Sequence, residues 1–232
     1  MRPEEIEEMR RLPLFADVGD ALADQLLRVS FLQRFPARVE LAREGDPADF
    51  LHVVVDGQVE VFAAYRDRET TVSVLGPGQS FIVAAVILDK VYLKSARSLS
   101  PARVLLMPAV AVRKLFAADG AFARALAQEL ADAYRGLVKE LKNQKLRSSV
   151  ERLANWLVAW DLATGATGCF ALPFEKKVLA SRLGMAPEVL SRTFAALVPY
   201  NVSVRGTNVE IRDRDALHKL AKPASTIDDP AV

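Results

Sequence analysis

The chain is 232 residues long, with 31 Lys plus Arg against 29 Asp plus Glu, a formal net charge of +2, and a composition 51% hydrophobic and 26% charged. That balance excludes a disordered chain and leaves room for one large or two medium domains with a substantial core. A single cysteine, Cys169, excludes an intramolecular disulfide and cannot supply the thiolates of an iron-sulfur cluster or a structural zinc site, and His52 and His218 form no local metal-ligand spacing. The N-terminus is acidic with no apolar run behind it, and the longest apolar stretch, Phe81 to Leu88, has eight residues. Neither a signal peptide nor a membrane span is expected, and a reducing cytoplasm is the expected compartment.

Ile6, Met9 and Leu12, then Leu22, Leu26 and Leu27, suggest two short helices. From Phe31 to Met107 the apolar residues alternate in short runs, Leu51 to Val55, Val59 to Phe62, Thr71 to Leu75 and Ala102 to Met107. Turn signals at Glu44 to Pro47, Asp56-Gly57 and Gly76-Pro77-Gly78 separate them, which predicts an antiparallel sandwich or roll. Near Val110 the period becomes helical. Leu126, Leu130, Ala133 or Tyr134, Leu137 and Leu141 recur at spacings of three and four, and the seam they form can be covered by the roll or by a second copy of the chain. Periodicity alone does not choose between the two.

A further helix carries Val150, Leu153, Trp156, Leu157 and Trp160 and ends at Thr164 to Gly168. Lys176 to Leu197 then reads as two short helices. Leu179, Ala180 and Leu183 make the inner face of the first, Gly184 permits a turn with positive φ, and Pro187 starts the second, whose Leu190, Phe194 and Leu197 face inward. This is a helix-turn-helix. Pro187, Glu188, Ser191 and Arg192 lie on the outer side of its second helix, in the half that enters a major groove, where Arg can pair with guanine and Glu with cytosine. Two alternating strands around Arg205-Gly206-Thr207-Asn208 follow as a wing, with Arg205 and Thr207 in reach of phosphates. The charge is distributed accordingly, net -1 over residues 1 to 144 and net +5 over 145 to 222.

With these motifs in place, the chain resembles the CRP/FNR transcription regulators from about Leu14 to Leu220. The carriers are EGDPADFLHVVVDGQVEVF, LGPGQSF, VERLANWLVAW and GMAPEVLSRTFAAL. The resemblance implies an α+β fold: an N-terminal antiparallel β-roll like a cyclic-nucleotide-binding jelly roll, a long dimerisation helix and a C-terminal winged helix-turn-helix. It implies a sensor roll with N-terminal helices over residues 1–108, a dimerisation helix over 109–145 and a DNA-binding domain over 146–222; residues 223–232 read as a disordered tail. The dimer interface is expected at Leu126, Leu130, Leu137 and Leu141, and the switch as a rigid-body rotation near Asn143 to Arg147. The text from Glu188 to Arg192 is similar to the FNR branch, which implies a two-fold symmetric site with TTGA-like half-sites. Ala186 departs from the family's Ser or Thr, so that residue's phosphate contact should be missing.

The sensor departs further. Family members that bind cyclic AMP carry Phe-Gly-Glu after the Pro-Gly turn and an Arg-Ser or Arg-Thr pair downstream, where an arginine fork neutralises the cyclic phosphate. Here Phe81-Ile82-Val83-Ala84 lacks both Gly and Glu, and either Lys94-Ser95 or Tyr92-Leu93 takes the place of the pair, without arginine. The effector pocket is therefore expected at Phe81, Val83, Tyr92, Lys94 and Ser95, apolar and not built for cyclic AMP. His52, where the family often has Tyr, reads as a structural histidine, with a haem ligand as the alternative. No metal and no cofactor is expected; haem belongs to the alternative.

The expected function is a DNA-binding regulator acting as a homodimer on double-stranded DNA, with RNA polymerase as a further partner and no membrane involved. The alternatives are a haem-dependent sensor of NO or CO and a ligand-binding module with vestigial DNA binding. No nucleophile elbow, P-loop or dinucleotide fingerprint points to an enzyme.

Overall fold

Helices α1 (Pro3–Arg10) and α2 (Asp20–Arg28) open the chain, where the two short apolar patterns predict them. The computed structural model describes residues 1–229, which divide between two units, Met1–Ala133 and the residues from Tyr134 on, each with its own apolar core.

In the first unit, β1 (Phe31–Phe35), β2 (Glu40–Ala42), β3 (Phe50–Asp56), β4 (Val59–Tyr65), β5 (Arg68–Leu75) and β6 (Ser80–Phe81) precede a short helix α3 (Val83–Leu88). Strands β7 (Ser95–Ser98) and β8 (Ala102–Pro108) complete two four-stranded antiparallel sheets, ordered β1-β8-β3-β6 and β2-β7-β4-β5. Alternation decides what faces inward: Val59 and Val61 of β4 and Ala96 of β7 enter the core. Glu60, on the other face of β4, is buried through its partners, accepting from Arg97 Nε at 2.7 Å and from the Thr71 hydroxyl at 2.5 Å. Gly57 makes the β3–β4 turn with φ +82°, and a Cβ there would meet the Pro101 carbonyl oxygen at 2.3 Å.

The helical stretch after the roll is interrupted. Helix α4 (Ala109–Ala118) stops at Asp119, which is extended, and α5 (Gly120–Leu146) begins anew with Asp119 Oδ1 accepting the Phe122 amide at 2.7 Å. The single helix expected over 109–145 is thus two helices, because an aspartate cap ends one and starts the next. Leu126, expected at a dimer seam, is fully buried with Phe122 in the chain's own core, so it cannot serve a partner. Leu130 is half-buried against the same core, whereas Leu137 and Leu141 are 51% and 53% exposed.

In the second unit, α6 (Ser149–Ala163) starts at a capping box in which the Ser148 hydroxyl accepts the Glu151 amide and the Glu151 carboxylate accepts the Ser148 amide. Strand β9 (Cys169–Ala171), helices α7 (Lys176–Arg182) and α8 (Pro187–Ala196), strands β10 (Val202–Arg205) and β11 (Asn208–Ile211) and helix α9 (Arg214–Ala221) follow. The three strands form an antiparallel sheet ordered β10-β11-β9. Leu153, Leu157, Leu179, Leu190, Leu197 and Leu217 fill the core beneath it.

Residues 223–229 are not the loose tail expected. Ser225–Asp228 form a helical turn, α10, whose Asp228 pairs with Arg147, a contact that no local pattern announces. The remaining residues of that expected tail, 230–232, lie outside the described ones. No helix among the described residues is long and apolar enough to cross a membrane, and none of their His, Cys, Asp and Glu side chains gather in threes that could hold a metal.

Candidate nucleic-acid interface

Helices α7 and α8 meet across Gly184, whose φ is +62°. The inner residues Leu179, Ala180, Leu183, Leu190, Phe194 and Leu197 are all buried, and the Met185 amide returns to the Ala180 carbonyl at 3.0 Å, closing the turn. Pro187 occupies the first turn of α8, where its missing N–H costs nothing. At the N-cap, Ala186 makes no side-chain bond, as its chemistry requires.

Burying that inner face leaves Pro187, Glu188, Ser191 and Arg192 exposed on the N-terminal half of α8. Residues three and four apart share a helix face, so the last three project together. Their side chains make no hydrogen bond or ion pair among the described residues, which leaves every donor and acceptor available to a base edge. Arg205 and Thr207 flank the tip of the β10–β11 hairpin at Gly206 and are exposed too, while the Thr207 carbonyl anchors the hairpin by accepting the Leu172 amide at 2.8 Å.

One residue that holds this arrangement has no signal in the sequence pattern. Arg152, on α6, donates from Nε to the Leu183 carbonyl at 2.8 Å and from Nη1 to the Arg147 carbonyl at 2.8 Å. A single guanidinium thus ties the helix-turn-helix corner to the end of α5. Its partners lie 31 and 5 residues away, so no local spacing could reveal it.

In the roll, the residues expected to line an effector pocket are mostly packed. Phe81, Val83, Tyr92 and Ser95 are buried; Tyr92 Oη donates to the Phe50 carbonyl at 3.0 Å and Ser95 Oγ accepts the Glu44 amide at 2.9 Å. Lys94 immediately precedes β7, half-buried, and its ammonium is held below the usual lysine range by burial. Ile82 adopts φ +63° ahead of α3, a strained position for a β-branched residue. Of the expected pocket residues Ser95 also lines a cavity of about 530 Å³ on the β2-β7-β4-β5 sheet, with Arg38, Glu40, Arg43, Phe62 and Arg97 among others.

His52 lies 3% exposed among aromatic rings, stacked on Phe81 with centroids 4.8 Å apart and planes 18° apart. One face of its ring is therefore occupied by packing. Nδ1 has no partner among the described residues, and burial pushes the imidazole down to about 4. Above pH 6.5 both folded and unfolded chains hold a neutral ring; as pH falls towards 4 the unfolded chain takes up a proton that the folded one resists, removing up to about 3 kcal/mol of stability. Urea melts between pH 7 and 4 should therefore show a shallower acid loss for His52→Leu than for the parent chain, and identical acid limbs would refute this.

A β-roll followed by a long helix and a winged helix-turn-helix with an unsatisfied polar recognition face defines a DNA-binding regulator with a sensor domain. Residues 32–119 match the family model of the cyclic nucleotide-binding domain and residues 151–220 that of the Crp-like helix-turn-helix domain. The chain belongs to the CRP/FNR family of transcription regulators, whose members bind DNA and act as dimers.

Among solved structures, a Ruegeria pomeroyi protein named for cyclic nucleotide binding is 27% identical over 96% of this chain and 100% of its own, with a TM-score of 0.60. FixK2 of Bradyrhizobium japonicum is 23% identical, with 84% and 99% coverage and a TM-score of 0.72. A Eubacterium rectale protein classed in the Crp/Fnr family shares 16% identity, with 91% and 98% coverage and a TM-score of 0.75. No curated protein matches the chain.

Proposed function

We propose that the protein is a homodimeric transcription regulator that binds a palindromic, TTGA-like site through Glu188, Ser191 and Arg192, with Arg205 and Thr207 on the phosphates. The observation that carries this reading is the shared, exposed and unpaired placement of those three side chains on the first turns of α8. Phosphate contacts position a protein, and base-edge contacts specify the sequence. The net +5 of residues 145 to 222, doubled in a dimer, supports the first role. RNA polymerase is the further partner that a DNA-bound regulator of this family implies.

The effector is not cyclic AMP held in the usual way, although the matched roll and the Ruegeria pomeroyi relative are named for cyclic nucleotides. Phe81-Ile82-Val83-Ala84 carries neither the glycine nor the glutamate of the cyclic AMP cassette, and Lys94 supplies a point charge in place of an arginine fork.

Fluorescence anisotropy with a labelled palindromic duplex and a scrambled duplex, from 50 to 300 mM salt, tests the proposal. Both affinities should fall linearly on a log–log plot against salt, with the palindrome tighter throughout. Absence of binding at the lowest salt would refute the DNA-binding reading.

A further inference from the structure

Lys222 ends α9 with φ +47°, after which the chain turns back along the end of α5. The turn of α10 is held there by polar contacts at three residues, Thr226, Asp228 and Asp229. Arg147 donates from Nη1 and Nη2 to the two Asp228 carboxylate oxygens at 2.7 and 2.5 Å, and the same carboxylate accepts the Ala224 amide at 2.6 Å. Lys142 Nζ donates to Thr226 Oγ1 at 2.8 Å, and Lys139 Nζ to the Asp229 carbonyl at 2.6 Å.

The forked pair is sheltered, with the Arg147 side chain 8% and the Asp228 side chain 23% exposed, a setting in which a bidentate ion pair fixes geometry well. Its position matters more than its strength. Arg147 is the residue between the last residue of α5, Leu146, and the cap of α6, Ser148. The backbone of this joint is gripped from the other side by Arg152, which binds the Arg147 carbonyl and the Leu183 carbonyl at the helix-turn-helix corner. Arg152 grips the joint from the winged helix, whereas Arg147, which also donates to Asn143 Oδ1 at 3.2 Å, takes its forked partner from the tail.

We propose that residues 224–229 form a strap that fixes the joint between α5 and the winged helix, with Arg147 and Asp228 as its latch. The strap sets the direction in which α8 leaves α5. In a dimer, two such joints determine whether both recognition helices meet successive major grooves without a further ordering cost. The effect on operator affinity rests on the DNA-binding reading above; the stiffness of the joint does not.

Hydrogen–deuterium exchange on the full chain, read at residues 143–149, measures the joint directly. Asp228→Asn should speed exchange there by about five-fold, the factor that an ion pair at the upper end of the partly exposed range is worth. The same variant should weaken binding to the palindromic duplex by about five- to twenty-five-fold, for one or both joints, while scrambled duplex is bound nearly as before. Asp228→Glu, which keeps the carboxylate, should restore much of both. Unchanged exchange at the joint in Asp228→Asn overturns the strap, and so does a looser joint with operator binding unchanged or tighter. If the parent chain binds no palindrome at all, the DNA-binding reading fails and the exchange measurement alone still decides the strap.

Discussion

Arg192→Ala is expected to remove about 1 to 3 kcal/mol of discrimination at one base pair in each half-site, while binding to unrelated DNA falls much less. The guanidinium sits five residues into α8, exposed and without a partner among the described residues, so truncation removes no contact within the fold. Thermal stability should stay within about 0.5 kcal/mol, as for surface changes generally. A panel of duplexes substituted one base pair at a time gives the readout: the parent chain should penalise a change at the contacted pair, and the variant should tolerate it. Arg205→Ala at the hairpin tip should behave oppositely, weakening every duplex alike and lowering the salt slope by about one per subunit. Equal loss on all sequences for Arg192→Ala would place that residue on the phosphates instead.

The helix-turn-helix was legible because its signals are local. Apolar spacing, Gly184 at the turn and Pro187 at the helix start all concern residues within a few positions of one another, and each lies where the pattern predicts. The strands of the roll were legible for the same reason, their alternation surviving wherever one face is buried. Sequence reasoning ran out where long-range packing decides. The seam on α5 is the plainest instance: Leu126 and Leu137 lie on the same helix face, yet one is buried in the roll's core and the other is exposed. Nothing in a helical period records what covers each turn. Asp119 breaks the helix through a cap that is a single residue in an otherwise unbroken apolar rhythm. The tail reads as loose in sequence because Asp228 finds its partner 81 residues upstream, and a short polar segment without such a partner would indeed be loose.

That difference along α5 determines how the dimer can be tested. Tyr134, Leu137, Val138 and Leu141 are 69%, 51%, 39% and 53% exposed, an apolar stripe of a/d-like spacing. In the proposed homodimer a second copy of α5 covers it. Leu137→Asp should then convert the dimer to monomers, because pairing would bury two carboxylates facing each other across the seam without cations to match them, costing about 3 to 5 kcal/mol or more. The folded monomer should be spared, since Leu137 is already half in water. Leu130→Asp, by contrast, places a charge against the roll's own core and should lower the melting temperature before any question of association arises. Sedimentation equilibrium and circular dichroism together separate the two: Leu137→Asp should halve the mass with melting of the monomer unchanged, and operator affinity should fall towards that of one half-site. A mass still equal to the parent's would refute the α5 seam, and dimers would then have to form through another surface. Because each recognition helix reads only its own half-site, a monomer that retained full affinity for the palindrome would refute dimeric recognition itself.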